Sequence, residues 1–256
     1  MAELQLQSVG LSFGAYDAIH DISLDVPPGQ FVAVVGPTGC GKSSLLNLVA
    51  GLLKPSKGTI RVDGRQLNLI NRDAAYMFQN DALLPWKTAL ENIMLGPLFR
   101  RIPRVQAAQD ANLWIERVGL RGFEQRYPSQ LSGGQRKRVA MAQALINRPP
   151  ILLMDECFSA LDVQTRALME NELLELWQHL KATVLFVTHD LEEAIAMADR
   201  LLLFTAGPKA TIKGDYLVGL PRPRNVAQVR FLPGFAELYE AIWRNLKEEV
   251  MAAYVR

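Results

Sequence analysis

Cysteine is scarce in this sequence: Cys40 and Cys157 are the two in a chain of 256 residues. Two cysteines make no disulfide framework and favour a reducing, cytoplasmic setting. Long apolar runs are missing as well. No stretch of about 18 apolar residues occurs, so nothing reads as membrane-spanning. The N-terminus, MAELQLQSVG, lacks a basic region followed by an apolar core, and no secretory signal is visible. Charge of one sign is also absent. With 28 Lys and Arg against 26 Asp and Glu, the formal net charge is +2, too little to point to nucleic acid. Arg100, Arg101 and Arg104 form one short basic cluster and Arg136, Lys137 and Arg138 another; both read as solvated faces. No internal repeat or low-complexity tract is present. What remains is an ordinary globular composition, long enough for one large domain or two small ones with ample core.

The informative stretch is Phe31 to Ala50, FVAVVGPTGCGKSSLLNLVA. Phe31 to Val35 reads as a buried strand, and Leu45 to Ala50 as a helix. Between them Gly36, Pro37, Thr38, Gly39, Cys40, Gly41, Lys42 and Ser43, followed by Ser44, match G-x-x-x-x-G-K-[ST] in the strand–loop–helix context that a phosphate-binding loop needs. Glycines let consecutive N–H groups turn inward toward phosphate oxygens. The helix N-terminus adds unpaired donors and positive dipole. Lys42 reaches toward β- and γ-phosphates, and the Ser43 hydroxyl is a magnesium ligand.

Periodicity orders the rest. Leu4 to Phe13 and Ile22 to Val26 alternate as strands of a partly exposed sheet, followed by a short strand at Thr59 to Val62 and a hairpin signal at Asp63-Gly64. Ala74 to Phe78 is a further strand. Thr88 to Leu95, Val105 to Val118 and Leu131 to Asn147 read as three helices without a strand between them, so that residues 88–147 form a helical insertion beside the sheet. Strands then alternate with helices: Ile151 to Met154, Val163 to Leu180, Thr183 to Val187, Leu191 to Ala198, Leu201 to Phe204. That order predicts a parallel sheet with crossover helices. Pro221 to Arg224 reads as an extended linker, and Phe235 to Met251 as a terminal amphipathic helix.

Two motifs complete the chemistry. The apolar strand Ile151 to Met154 delivers Asp155 and Glu156 at its carboxyl end, where ligands sit in open α/β sheets. Asp155 fits a magnesium-holding carboxylate, and Glu156 a group that polarises attacking water. Leu131-Ser132-Gly133-Gly134-Gln135 opens a helix, with Ser132 as its cap and glycine N–H groups facing outward. With this pentapeptide the chain resembles the ATP-binding subunit of ABC (ATP-binding cassette) transporters, whose signature is Ser-Gly-Gly-Gln. The resemblance spans essentially the whole chain.

That resemblance implies an α/β fold: a P-loop NTPase with a RecA-like parallel sheet core, an N-terminal antiparallel β subdomain and an α-helical subdomain. It implies one domain over residues 1–256, with residues 88–147 helical and 221–256 a C-terminal linker and helix. The implied cofactors are ATP and Mg²⁺. Gln79 resembles the family's glutamine that senses magnesium and water, His189 its switch histidine near the γ-phosphate, and Ser159-Ala160-Leu161-Asp162 its inter-subunit loop. Phe13 resembles the adenine-stacking aromatic, with Tyr16 as the alternative. Ser132 to Gln135 would act on the ATP of a second copy in a head-to-tail dimer. Phe78 to Lys87, FQNDALLPWK, and Leu220 to Arg224 are similar to the nitrate/sulfonate/taurine importer ATPases. The segment after Gln79 would receive a helix of the membrane permease, making Leu83, Leu84 and Trp86 a docking surface. A solute-binding protein is then an indirect partner, nucleic acid is not a partner, and the expected location is the cytoplasmic face of the inner membrane. A soluble relative acting on DNA would carry a long coiled coil before the signature, and no sustained heptads occur there. A translation-factor relative would usually carry two cassettes. An exporter or lipoprotein-release ATPase stays open, with the LLPW segment against it. One departure stands out: the family usually has proline after the catalytic Glu, and here it is Cys157. Cysteine leaves that turn looser and adds a thiol near the nucleotide. With Cys40 in the phosphate loop, a redox role stays open.

Overall fold

The structure, a computed structural model, describes residues 1–254; the final two positions of the expected C-terminal helical segment lie outside the described residues. Alternating apolar residues build the first sheet. β1 (Leu4–Phe13) and β2 (Tyr16–Val26) pair antiparallel from Leu4 against Val26 to Phe13 against Tyr16. β2 starts six residues earlier than its alternation indicates, because the tight turn at Gly14-Ala15 brings Tyr16 straight back onto Phe13. β4 (Lys57–Val62) adds to the other edge of β1, and the two-residue β5 (Arg65–Gln66) closes the order β2-β1-β4-β5.

The second sheet has six strands. β3 (Phe31–Val35), β6 (Ala74–Met77), β7 (Ile151–Asp155), β8 (Thr183–Val187), β9 (Arg200–Phe204) and β10 (Ile212–Leu217) take the order β10-β9-β3-β8-β7-β6. All neighbours are parallel except β10, which runs antiparallel on β9. β3 and β8 are buried at every position, as strands covered on both faces must be. Alternation divides β3 between two cores. Phe31, Ala33 and Val35 face the one shared with the helical region, and Val32 and Val34 the one shared with α1 (Lys42–Val49) and the antiparallel sheet. The register sets Met77 beside Met154, Asp155 beside Val187 and Val34 beside Val187. The carboxyl ends of β3, β6, β7 and β8 therefore open along one edge.

Three helices occupy the middle of the chain: α2 (Ala89–Phe99), α3 (Arg104–Arg117) and α4 (Gly133–Leu145). α5 (Val163–Leu180) and α6 (Leu191–Met197) are the crossovers, and α7 (Phe235–Tyr254) ends the described chain. α2 runs past the expected Leu95 with Pro97 inside it. Ile93, Met94 and Pro97 are buried, and that packing carries the helix past the lost N–H.

The Pro221–Arg224 segment has no helix or strand and is tied down by its arginines. Arg224 is buried, and its guanidinium donates to the carbonyls of Ala198 (2.5 Å), Leu220 (2.8 Å) and Ile195 (3.2 Å). Burial pulls its pKa down to about 10, still far above neutrality. Arg222 lies 4.5 Å over the Trp177 ring and donates to Asp199 at 2.8 Å. The segment thus caps the carbonyls at the end of α6. Arg224→Ala should strand several buried acceptors and cost roughly 3 kcal/mol, read as a lowered urea midpoint. An unchanged midpoint would refute that assignment.

Candidate functional site

The loop from Gly36 to Ser43 follows β3 and opens α1. Gly39 and Gly41 have φ of +77° and +96°, left-handed values that a side chain would strain, and a Cβ at Gly41 would sit 3.1 Å from Ile19. α1 has no side-chain cap and no acidic residue in its first turn, so its first N–H groups are free for an anion. Lys42 is buried, and its Nζ donates to the carbonyls of Gly36 and Pro37, both at 2.9 Å. Among the described residues no carboxylate lies within ion-pair distance of it. A buried cation held by the Gly36 and Pro37 carbonyls, with the Cys40 sulfur 3.9 Å away, at an uncapped helix start fits a polyphosphate.

The strand ends supply the acids. Ser43 Oγ donates to Asp155 Oδ1 at 2.9 Å. Burial pushes the Asp155 pKa up, while hydrogen bonds from Ser43 and Tyr76 pull against it. A hydroxyl and a carboxylate oxygen this close are hard donors that fit Mg²⁺. Glu156 has φ of +43°, unusual outside glycine. It is fixed there by its N–H donating to Val187 O at 2.9 Å, and by the Ser159 hydroxyl donating to its carbonyl at 2.8 Å. This turn lifts the Glu156 side chain toward the two other predicted residues. Gln79 Nε2 donates to Glu156 Oε2 at 3.2 Å, and His189 Nδ1 lies 3.6 Å from the same oxygen. Gln79, Asp155, Glu156 and His189 are thus gathered from β6, β7 and β8.

Ser132 to Gln135 is placed apart. Ser132 Oγ accepts from Gln135 N–H at 3.3 Å, and Gln135 Oε1 accepts from Ser132 N–H at 2.9 Å, a reciprocal cap on α4. Ser132 and Gly133 face solvent. Among the described residues no hydrogen bond joins Ser132–Gln135 to Gly36–Ser43. Asp162 caps α5, accepting from Thr165 N–H at 3.0 Å. Phe13 and Tyr16 face each other across the β1–β2 turn, about half exposed. A Cβ at Gly207 would lie 3.4 Å from the Tyr16 hydroxyl and 3.5 Å from the Gly39 carbonyl, so Tyr16 reaches the rim of the loop.

The sequence profile of the ABC transporter family matches residues 19–159. The chain belongs to the ABC transporter family. It is 41% identical over 242 residues to the nitrate import ATP-binding protein of Synechococcus elongatus, covering 92% of this chain and 88% of that protein. It is 45% identical over 236 residues to an aliphatic sulfonates import ATP-binding protein of Ralstonia nicotianae, covering 92% and 78%. With the taurine import ATP-binding protein of Escherichia coli the identity is 42% over 205 residues, 80% of each chain. The dimeric structure of a bacterial ABC transporter cassette superposes with a TM-score of 0.75 at 30% identity, covering 85% of this chain and all of that one. The same cassette in a post-hydrolysis state bound to ADP and phosphate gives a TM-score of 0.73. The fold is the P-loop NTPase fold of these cassettes, the protein is an ATPase, and ATP is its nucleotide.

The cassette also holds residues that sequence reading missed. Tyr76 OH donates to Asp155 Oδ2 at 3.2 Å. The Arg136–Arg138 cluster is not a solvated face. Lys137 is buried, pairs with Asp81 at 2.9 Å and donates to the Gln79 carbonyl at 3.1 Å. Arg136 also reaches Asp81, at 3.3 Å, and Arg138 reaches Glu172 at 2.6 Å. A basic triplet just after the signature held no signal for this, because Asp81 and Glu172 are distant in sequence. α7 contributes Trp243 and Leu246 to a 380 Å³ cavity whose other wall is Gly36, Pro37, Thr38 and His189. Cys157 does not present a thiol to the nucleotide. It is fully buried in the helical-side core, and burial drives its pKa well up. Cys40 lies in the core on the opposite face of the sheet, and burial raises its pKa too. Neither is poised as a thiolate.

Proposed function

We propose that this cassette powers import of a small anion, of the nitrate, sulfonate, taurine or bicarbonate class, as a head-to-tail dimer bound to membrane permease subunits at the cytoplasmic face of the inner membrane. A solute-binding protein acts upstream of the permease. The observation that carries the reading is Trp86. It is 70% exposed in a loop whose shape is nonetheless fixed, since Asn92 Oδ1 accepts from Leu84 N–H at 2.8 Å and Asn92 Nδ2 donates to Lys87 O at 3.0 Å. A rigid loop that spends its order on presenting an indole to water is built for a partner. It follows directly on Gln79, and the three importer ATPases named above support the class of solute.

In this reading Gly36 to Ser44 and Lys42 grip the phosphates, and Phe13, with Tyr16 beside it, stacks on the adenine. Ser43 and Asp155 would hold Mg²⁺, and Gln79 would sense it. When bound, that ion neutralises phosphate charge. Glu156 orients and polarises the attacking water, and Gln79 and His189 hold its carboxylate in place. Ser132 to Gln135 and Asp162 serve the partner copy's ATP, and Ser132 and Gly133 face solvent as that requires. ATP then favours the closed dimer, and hydrolysis releases it.

Affinity purification from detergent-solubilised membranes tests this. The cassette should bring down a membrane protein, and Trp86→Ser should release that protein while ATP hydrolysis by the isolated chain stays unchanged. Recovery of the cassette with no membrane protein would overturn the transport reading.

A further inference from the structure

The end of α2, the connection after it and the first residues of α3 form one exposed stretch of unusual composition. From Phe99 to Gln106 every residue is exposed, and the sequence FRRIPRVQ has three arginines and no acid. Phe99 is 84% exposed and Val105 72%. A second turn joins it. Arg100 Nη2 donates to the Arg72 carbonyl at 3.3 Å, and just before Arg72 stand Leu69, 80% exposed, and Ile70, 57% exposed. Large apolar side chains thus stand beside arginines on two neighbouring stretches. The opposing charges are few. Arg104 has Glu91 at 3.9 Å, a long pair between exposed groups, and Asp73 follows Arg72.

Single exposed apolar residues need no explanation, but a cluster of them does. The charge names the partner. Guanidinium groups bind phosphate diesters through paired N–H donors, and aromatic and aliphatic side chains enter the boundary between headgroup and acyl chain. The cytoplasmic leaflet carries the negative surface potential that draws such a segment. The patch also borders the groove between β6 and α4, because Arg100 lines that 340 Å³ groove with Phe78, Lys137 and Ala140. A membrane subunit seated beside Gln79 would hold this edge close to the bilayer.

We propose that the 69–72 turn and the 99–105 stretch form one membrane-surface contact. Its arginines bind anionic phospholipid headgroups, and Leu69, Phe99 and Val105 insert at the interface. The proposal rests on the importer reading only for placing the cassette beside a bilayer.

Sedimentation of the full chain with phosphatidylcholine vesicles, with and without about one third phosphatidylglycerol, tests it. The chain should sediment with the anionic vesicles at ~50 mM salt, stay free of neutral ones, and be released near ~0.5 M salt. Replacing Arg100, Arg101 and Arg104 together by Gln should lower the partition coefficient about tenfold or more, and Phe99→Ser should lower it less. Both variants should keep the ATP hydrolysis of the isolated chain, since none of these side chains touches the nucleotide site. No sedimentation with anionic vesicles, or undiminished sedimentation of the triple variant, would overturn the contact. So would a triple variant that loses a co-purifying membrane protein while the parent chain ignores vesicles, since the patch would then bind protein. Failure of vesicle binding with intact co-purification leaves the importer reading standing. Intact vesicle binding without any membrane protein does the reverse.

Discussion

Glu156→Gln should lower ATP turnover by about 10²- to 10⁴-fold while leaving ATP binding nearly unchanged. The amide keeps the size of the carboxylate and accepts the same hydrogen bond from Gln79, whose Nε2 lies 3.2 Å from Glu156 Oε2. It does not take a proton from water. In the proposed function, binding rests on other atoms: the uncapped start of α1, Lys42, and the Ser43–Asp155 pair at 2.9 Å. The fold should not suffer either. The φ of +43° at position 156 is held by backbone and Ser159 hydrogen bonds that the substitution leaves alone. The variant should accumulate as an ATP-bound dimer, seen as a shift to larger size in gel filtration with Mg²⁺ and ATP. Normal turnover would remove Glu156 from its assigned role. A variant that neither turns over nor binds ATP would point to a structural part instead. His189, 3.6 Å from the same oxygen, gives an internal comparison: a smaller loss of turnover in His189→Ala fits a residue that holds the carboxylate.

The elements that carry this chemistry were legible because their signals are local. Phe31 to Val35 and Ile151 to Met154 are short apolar runs, and a strand buried on both faces needs no more than that. The loop motif, Asp155-Glu156 and Ser132 to Gln135 are contiguous in sequence, and each sits where a strand or helix ends. The rest depended on pairings that only the sheet order creates. β10 passed unread because Gly214 and Asp215 weaken its strand signal; it is held by pairing with β9 and by Arg200, whose Nε donates to Asp215 at 2.7 Å. Lys137 looked like surface because its partners, Asp81 and the Gln79 carbonyl, arrive from the other side of the helical region. Arg224 looked like linker because its acceptors belong to the end of α6. Tyr76 looked like an ordinary strand residue until the β6–β7 register set its hydroxyl against Asp155. Long-range polar contacts leave no period in a sequence.

Glu170→Gln should flatten the fall of stability with rising pH, and Glu193→Ala should destabilise the fold by roughly 3–5 kcal/mol. Both residues are buried, Glu170 on α5 and Glu193 on α6, and their carboxyls share a hydrogen bond. Burial is the main cause that raises both pKa values, and it pushes Glu170 up to about 10. Two carboxylates this close do not both ionise, so one proton stays with the pair, on Glu170. Glu193 also accepts from the Thr188 hydroxyl, and that hydroxyl accepts from Asp190 N–H at 3.0 Å. The pair therefore anchors the turn that carries His189. Unfolded, Glu170 would release its proton near 4.5; folded, it keeps it to about 10. Across that window the native state binds the extra proton, so stability is greatest at the acid end and falls as pH rises. Arg166 and Asp190 face the same pair, Arg166 lowering the Glu170 pKa and Asp190 raising it, so the two offset each other. The glutamine amide copies the neutral acid as a donor and does not titrate. Urea midpoints for parent and Glu170→Gln, taken from pH 5 to pH 9, should converge at the acid end and separate in the variant's favour at the alkaline end. Parallel curves would show that Glu170 carries no trapped proton. Glu193→Ala leaves the Thr188 hydroxyl and the Glu170 acid without their buried acceptor, so its loss should appear across the whole range, with turnover falling as the His189 turn loosens. Full turnover in a folded Glu193→Ala would separate the pair from the site.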